Sequence, residues 1–210
     1  MNRCCGTPGQ WSDGRANCKT CRMGKLIYSA HTSLDGYTAD PAGDFEFTAP
    51  DDEVFAFVND LEREVGTYLH GRKLYEALAI WETLDTTTES RYMQDFAKIW
   101  RRATKVVYSR GLHTVGTRLT RIEREFVPEE VRAIKESSSE NLEVGGSTLA
   151  GEALRAGLVD EIHLFVSPIV VGGGLRTLPD DVRIQLSLLD ERRFTAGVVY
   201  LRYGVTPQRY

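Results

Sequence analysis

Leu142-Glu143-Val144-Gly145-Gly146-Ser147-Thr148-Leu149 reads as a strand that runs into a pair of glycines and out into a helix. Paired glycines let main chain come within contact distance of a ligand, because no Cβ stands in the way. The helix start beyond them offers unpaired N–H groups and the positive end of a dipole. Together these make the local chemistry of a phosphate site. A tight strand–helix connection would use the same residues, so the segment needs company. Gly71-Arg72-Lys73 and Ser109-Arg110-Gly111 have a similar character. Three anion contacts at strand ends point to a ligand with more than one phosphate.

Working outward, Leu26 to Ala30 reads as a short buried strand, followed by Thr32-Ser33-Leu34-Asp35-Gly36-Tyr37 and a long loop of the kind that often binds ligand. Pro50 followed by Asp51, Asp52 and Glu53 starts a helix whose apolar stripe is Val54, Val58, Leu61 and Val65. Thr67 to His70 is a strand leading into a helix with Leu74, Leu78 and Trp81. A further helix holds Tyr92, Phe96, Ile99 and Trp100. Lys105 to Tyr108 is the next strand, residues 117–127 alternate as a strand would, and Pro128 opens a helix ending near Ser137. The helix after the glycine pair closes at Gly157. Glu161 to Val166 is strand-like, Pro168 to Gly174 is turn-rich, and two last strands near 183–189 and 197–204 flank a turn at Asp190-Glu191. Alternating strands and helices predict an α/β fold: a mixed, mainly parallel central sheet flanked by helices, with an antiparallel C-terminal hairpin at one edge.

A chain of 210 residues with 41% apolar and 27% charged residues can bury a sizeable core without metal or disulfide. A net charge of −4 argues against a nucleic-acid footprint. No run approaches the roughly 18 apolar residues of a membrane span. All four cysteines, Cys4, Cys5, Cys18 and Cys21, fall in the first 21 residues, among Arg3, Arg15, Lys19 and Arg22. Residues 1–24 therefore read as a disordered extension and 25–210 as the folded domain. A zinc clip and a redox dithiol, both through Cys18-Lys19-Thr20-Cys21, remain open for the head. Residues 1–22 are expected to be dispensable, Met23 being a candidate start.

Ser33-Leu34-Asp35-Gly36, Gly71-Arg72-Lys73-Leu74-Tyr75-Glu76, Val107-Tyr108-Ser109-Arg110, Val144-Gly145-Gly146-Ser147-Thr148-Leu149, and Val166-Ser167-Pro168 with Gly172-Gly173-Gly174 occur in that order. In order and spacing the chain resembles the dihydrofolate reductase-like superfamily, in the branch of the reductase domain of bifunctional riboflavin-biosynthesis proteins (the RibD C-terminal domain). The resemblance covers about residues 25–205. It implies NADPH as hydride donor, a small-molecule substrate, a homodimer and a cytoplasmic setting. It also implies cofactor contacts at Ala30, Gly71, Arg72, Lys73, Ser109, Arg110, Gly145, Gly146, Ser147, Thr148 and Leu149. The residue chemistry agrees, since Arg offers a planar fork and Lys a point charge to phosphate. A solvated pair at a helix start is the alternative for Arg72 and Lys73.

The acceptor side rests on two carboxylates. Asp35, at the end of the first strand, is a candidate to protonate or orient a substrate, with a plain Asp-Gly turn as its alternative. Glu53, with Asp52 beside it, sits on the helix that supplies the pterin-binding carboxylate in dihydrofolate reductases; the alignment across Asp51-Asp52-Glu53 does not single out one residue, and ordinary first-turn acid is the alternative. The segment before that helix lacks their Trp-containing entry, which speaks against folate. His31 is a candidate pocket residue; His70, His113 and His163 read as strand or loop residues. No histidine pair has metal-ligand spacing, so no metal site is expected. The expected function is an NADPH-dependent reductase acting on a small heterocyclic or carbonyl substrate. Nucleotide or small-ligand binding without turnover is the alternative.

Overall fold

Apolar strands alternating with amphipathic helices build one eight-stranded sheet between two layers of helix. The computed structural model describes residues 23–206. The cysteine-containing head, with its extension, zinc and dithiol readings, lies outside the described residues. In chain order the elements are β1 (Leu26–Ser33), β2 (Tyr37–Ala39), α1 (Asp52–Glu62), β3 (Val65–Gly71), α2 (Arg72–Leu78), α3 (Arg91–Arg102), β4 (Thr104–Tyr108), β5 (Thr120–Glu123), α4 (Pro128–Ser137), β6 (Asn141–Gly145), α5 (Ser147–Arg155), β7 (Glu161–Ser167), β8 (Leu175–Arg176), β9 (Leu186–Arg193) and β10 (Val199–Val205). The sheet runs β5-β4-β3-β6-β1-β7-β10-β9. Every neighbouring pair is parallel except those of β10, which lies antiparallel to β7 and β9. The mainly parallel sheet and its antiparallel final pair are those the sequence predicts.

Parallel strands are covered on both faces, and this sheet obeys. On one face α4 and α5 bring Val131, Leu149, Ala150 and Leu154 onto Leu26, Tyr28, Leu69 and Val144. On the other, α2 and α3 pack Tyr75, Phe96 and Trp100 on Tyr68 and Val107. Beside them α1 covers Phe165, Phe194 and Tyr200 with Val54, Val58 and Leu61. Val65, the fourth position of that stripe in the sequence, instead opens β3 and packs with α3. The start of α1 is capped by Asp51, whose carboxylate accepts from Val54 N at 2.9 Å, so Pro50 lies just before the helix and Asp52 and Glu53 fill its first turn. No helix among the described residues is long and apolar enough to cross a membrane.

Two local expectations change. The final hairpin turns at Phe194–Val198, not at Asp190-Glu191. Phe194 N donates to Val198 O at 2.9 Å, and the buried Phe194 ring ties the turn to α1. Asp190 and Glu191 continue β9 beside a register shift that skips Leu189. Of residues 117–127, only Thr120–Glu123 form a strand.

At the end of the sheet where β1, β3 and β6 begin, Glu62 and Glu143 face a cavity of about 80 Å³ beneath α1. Glu62 is buried, accepts from the Tyr68 hydroxyl at 2.8 Å, and shares a hydrogen bond with Glu143. Two carboxyl groups bond to one another only while one of them keeps a proton. Burial, and for Glu143 the neighbouring acid, push the pair above the usual carboxylate range. A raised acid stabilises the fold fully below its unfolded value and loses that contribution as pH climbs through the folded one. Glu143→Gln mimics the protonated partner at every pH. It should match wild type near pH 5 and exceed it by about 1 kcal/mol, or about 2–4 °C in Tm, at pH 8.5. Thermal melts at the two pH values check this; a gain that shrinks as pH rises would contradict the shared proton.

Candidate nucleotide-binding site

At the opposite end of the sheet, β3, β4 and β6 finish side by side. Gly145 ends β6, and a Cβ there would lie 2.4 Å from Leu74 Cδ2 and 2.8 Å from His70 Cδ2. The absence of a side chain thus lets α2 and the end of β3 close against β6. Gly146 follows with φ +90°, a backbone that other residues adopt only with strain. It stands beside Gly71, the residue at the start of α2; a Cβ on Gly146 would lie 3.8 Å from Gly71 N. Neither α2 nor α5 has a side-chain cap, so two bare helix starts lie next to each other. The Ser147 hydroxyl, on the first residue of α5, is buried and has no hydrogen-bond partner. An orphaned buried hydroxyl beside free helix-start amides fits an oxyanion better than it fits water-free packing.

A cavity of about 730 Å³ opens over this turn. Gly71, Arg72, Lys73, Ser109, Arg110, Gly146, Ser147, Thr148 and Leu149 line it. Gly145 lies behind them, as the contact that sets the turn. The structure therefore gathers the three glycine- and arginine-bearing segments at one mouth. Arg72 Nε donates to Glu76 at 2.7 Å and Arg110 Nη2 to Glu125 at 3.4 Å, both at the surface. Ser109 Oγ accepts from Leu112 N at 3.0 Å and so fixes the turn after β4.

Several lining residues were not legible beforehand. Arg124 donates to the carbonyls of Ser109 and Leu112 at 2.9 and 2.6 Å, clasping the loop that carries Arg110. Tyr108 and Phe126 form an aromatic wall with centroids 5.5 Å apart, and burial lifts the Tyr108 phenol to about 12. Leu175 opens β8, just past the turn-rich segment that follows β7. Tyr108 stands in the Val107-Tyr108-Ser109-Arg110 stretch with no role assigned from sequence, Arg124 and Phe126 fall in the 117–127 run that reads only as a strand, and Leu175 has no signal.

Ala30, Asp35 and Glu53 do not line the cavity. Ala30 is buried in β1 and packs toward α5. Asp35 accepts from Ser33 Oγ at 2.7 Å, Gly172 N at 2.7 Å and Val171 N at 3.2 Å. The Ser33 hydroxyl, then the two amides, hold its carboxyl below the usual range. Glu53 accepts from Thr195 N at 3.0 Å and Arg192 Nη2 at 3.4 Å. The Thr195 amide foremost, with Arg192 behind it, pulls that carboxyl down too. Both groups are ionised at neutral pH and occupied in joining loops. His31 lies within β1 and stacks on Phe165 at 4.6 Å, its ring kept neutral by burial with a pKa lowered to about 4. His70 is buried between Tyr68 and Trp100, and burial, with Lys105 nearby, lowers it to about 3.

The model of the RibD C-terminal domain matches residues 24–200. The uncharacterized protein YyaP of Bacillus subtilis (strain 168) is 28% identical over 184 residues, which span 85% of this chain and 94% of YyaP. Among solved structures, a candidate riboflavin biosynthesis protein from Shewanella sp. PV-4 superposes with a TM-score of 0.68 at 17% identity, covering 87% of this chain and 99% of that one. Dihydrofolate reductase from Enterococcus faecalis, solved with NADP(H), superposes with a TM-score of 0.54 at 16% identity, covering 88% and 98%. These likenesses establish a dihydrofolate reductase-like fold shared with reductases. The chain belongs to the RibD C-terminal domain family.

Proposed function

We propose that this protein is an NADPH-dependent reductase that passes hydride to a small heterocyclic or carbonyl acceptor, in the manner of a riboflavin-pathway reductase. The observation that carries the reading is the buried, unpartnered Ser147 hydroxyl at an uncapped helix start, beside a turn that only glycines fit. The Gly145-Gly146 turn and the first residues of α5, Ser147, Thr148 and Leu149, hold the diphosphate. Arg72, Lys73, Ser109 and Arg110 take the adenosine 2′-phosphate, Arg72 and Arg110 exchanging weak surface carboxylate partners for it. Bound NADPH supplies the hydride, and the protein supplies binding, orientation and exclusion of water. The family's reductases support the same assignment, and by that analogy the protein acts as a cytoplasmic homodimer.

Titration of the full chain with NADPH, followed by nucleotide fluorescence, should give saturable binding; none at millimolar NADPH would end the reading. Arg72→Ala should weaken NADPH about five- to tenfold more than NADH. Equal losses would remove Arg72 from the 2′-phosphate. Ser147→Ala should weaken both nucleotides about three- to tenfold, because the diphosphate is common to them. It should leave Tm unchanged or slightly raised, since it deletes an unsatisfied buried group. Tight binding by this variant would show that the hydroxyl faces no ligand.

A further inference from the structure

The segment Pro168–Thr177 leaves β7, crosses the sheet's upper edge and passes over the α5 side of the molecule, mostly exposed and with little secondary structure of its own. Such a segment has little burial to hold it in one place. Yet Leu175 within it forms part of the cavity wall together with Leu149 and Glu152 of α5. Its position comes from polar ties to one short stretch of chain at the end of β1. Leu34 N donates to Ile169 O at 2.8 Å, and Thr177 N to Gly36 O at 2.9 Å. Thr32 and Thr177 hydroxyls meet at 2.5 Å, and Tyr28 Oη donates to Thr177 O at 2.6 Å. A two-residue ladder joins β2 to β8. Gly174 passes so close to this ladder that a Cβ would lie 2.1 Å from Ala39 O.

The Arg176 guanidinium lies over the Tyr37 ring at 5.2 Å, and among the hydrogen-bonded ties sits one carboxylate. Asp35 Oδ2 accepts from Gly172 N at 2.7 Å, and Oδ1 accepts from Val171 N and from Ser33 Oγ. Ser33 Oγ in turn accepts from Tyr37 N at 3.0 Å, so the carboxylate is oriented by its own turn before it reaches the strap. Hydrogen bonds to an ionised acceptor are about twice as strong as neutral ones. We propose that Asp35 is a positioning residue that latches the Pro168–Thr177 strap, and through it sets Leu175 as a wall of the nucleotide cavity. The role rests on the reductase reading only where it names NADPH as the ligand. It differs from proton donation: the carboxylate works by being charged and fully engaged, and its influence reaches the cofactor through the strap.

The test uses the full chain, Asp35→Ala and Asp35→Asn, with NADPH as probe and amide hydrogen exchange as the structural readout. In Asp35→Ala the amides of Val171 and Gly172 should exchange faster, and NADPH affinity should fall about tenfold. Asp35→Asn keeps a neutral acceptor and should recover part of both. A role confined to stability would lower Tm and leave the affinity of the folded variant unmoved; that result overturns the proposal. Faster strap exchange with unchanged NADPH affinity also overturns it, as does unchanged exchange. Wild type that binds no NADPH fails the reductase reading instead, and faster exchange at Val171 and Gly172 would then still report the latch by itself.

Discussion

The close approach at Gly145 is the contact on which the upper end of this molecule depends. Leu74 and His70 occupy the volume that any side chain at 145 would need. Because they do, α2 and α5 start next to each other, and Arg72 and Lys73 arrive beside Ser147 at one cavity mouth. The contact has a cost. Both ring nitrogens of His70 lack hydrogen-bond partners, and Trp100 Nε1 beside it is also unpaired. Each unsatisfied buried group costs about 1–3 kcal/mol. Stacking of His70 with Tyr68 and Trp100, and the burial of Trp100 itself, offset that cost.

Around this turn a net negative chain builds a locally positive mouth. Parallel strands deliver their ends, and therefore their following loops, to the same side of the sheet. Arg72, Lys73, Arg110 and Arg124 thus converge although they are far apart in sequence. Their existing partners divide into two kinds. Arg124 is committed to backbone carbonyls and builds the loop. Arg72 and Arg110 hold single surface carboxylates, contacts worth about 0–1 kcal/mol, and are free to turn to a phosphate at small expense.

The strand–glycine–helix segment, the arginine-bearing strand ends and the α1 stripe were legible because each is a local pattern of fewer than about a dozen residues with a fixed period or turn chemistry. The acid-rich start of α1 and the helix from Pro128 follow from the same kind of signal. What the sequence hid is non-local or very short. The β2–β8 ladder has three residues on one side and two on the other, too few for alternation to show. Leu175 reaches the cavity only because the strap crosses over α5. Glu143 sat inside the very stretch that announces the site, but its partner Glu62 closes a helix far earlier in the chain. The turn at Asp190-Glu191 was misplaced because exposed acids look like a turn, whereas the real one is secured by a buried aromatic ring.

The distribution of protons across the molecule follows from these placements. Asp35 and Glu53, the two carboxylates the sequence offers for the acceptor side, are each surrounded by donors, so their protons are gone at neutral pH. The carboxyl that keeps a proton, in the Glu62–Glu143 pair, lies at the other end of the sheet, where β3 and β6 begin. His31 and His70 are neutral by burial. None of these groups lines the cavity; the Tyr108 phenol, lifted by burial to about 12, does line it and keeps its proton at neutral pH. The reductase chemistry proposed above would therefore draw on holding donor and acceptor in register and on excluding water, terms that reach about 7–11 kcal/mol in well-oriented systems. On that proposal, rigidity at the turn and along the strap would serve the positioning of the cofactor as well as the fold.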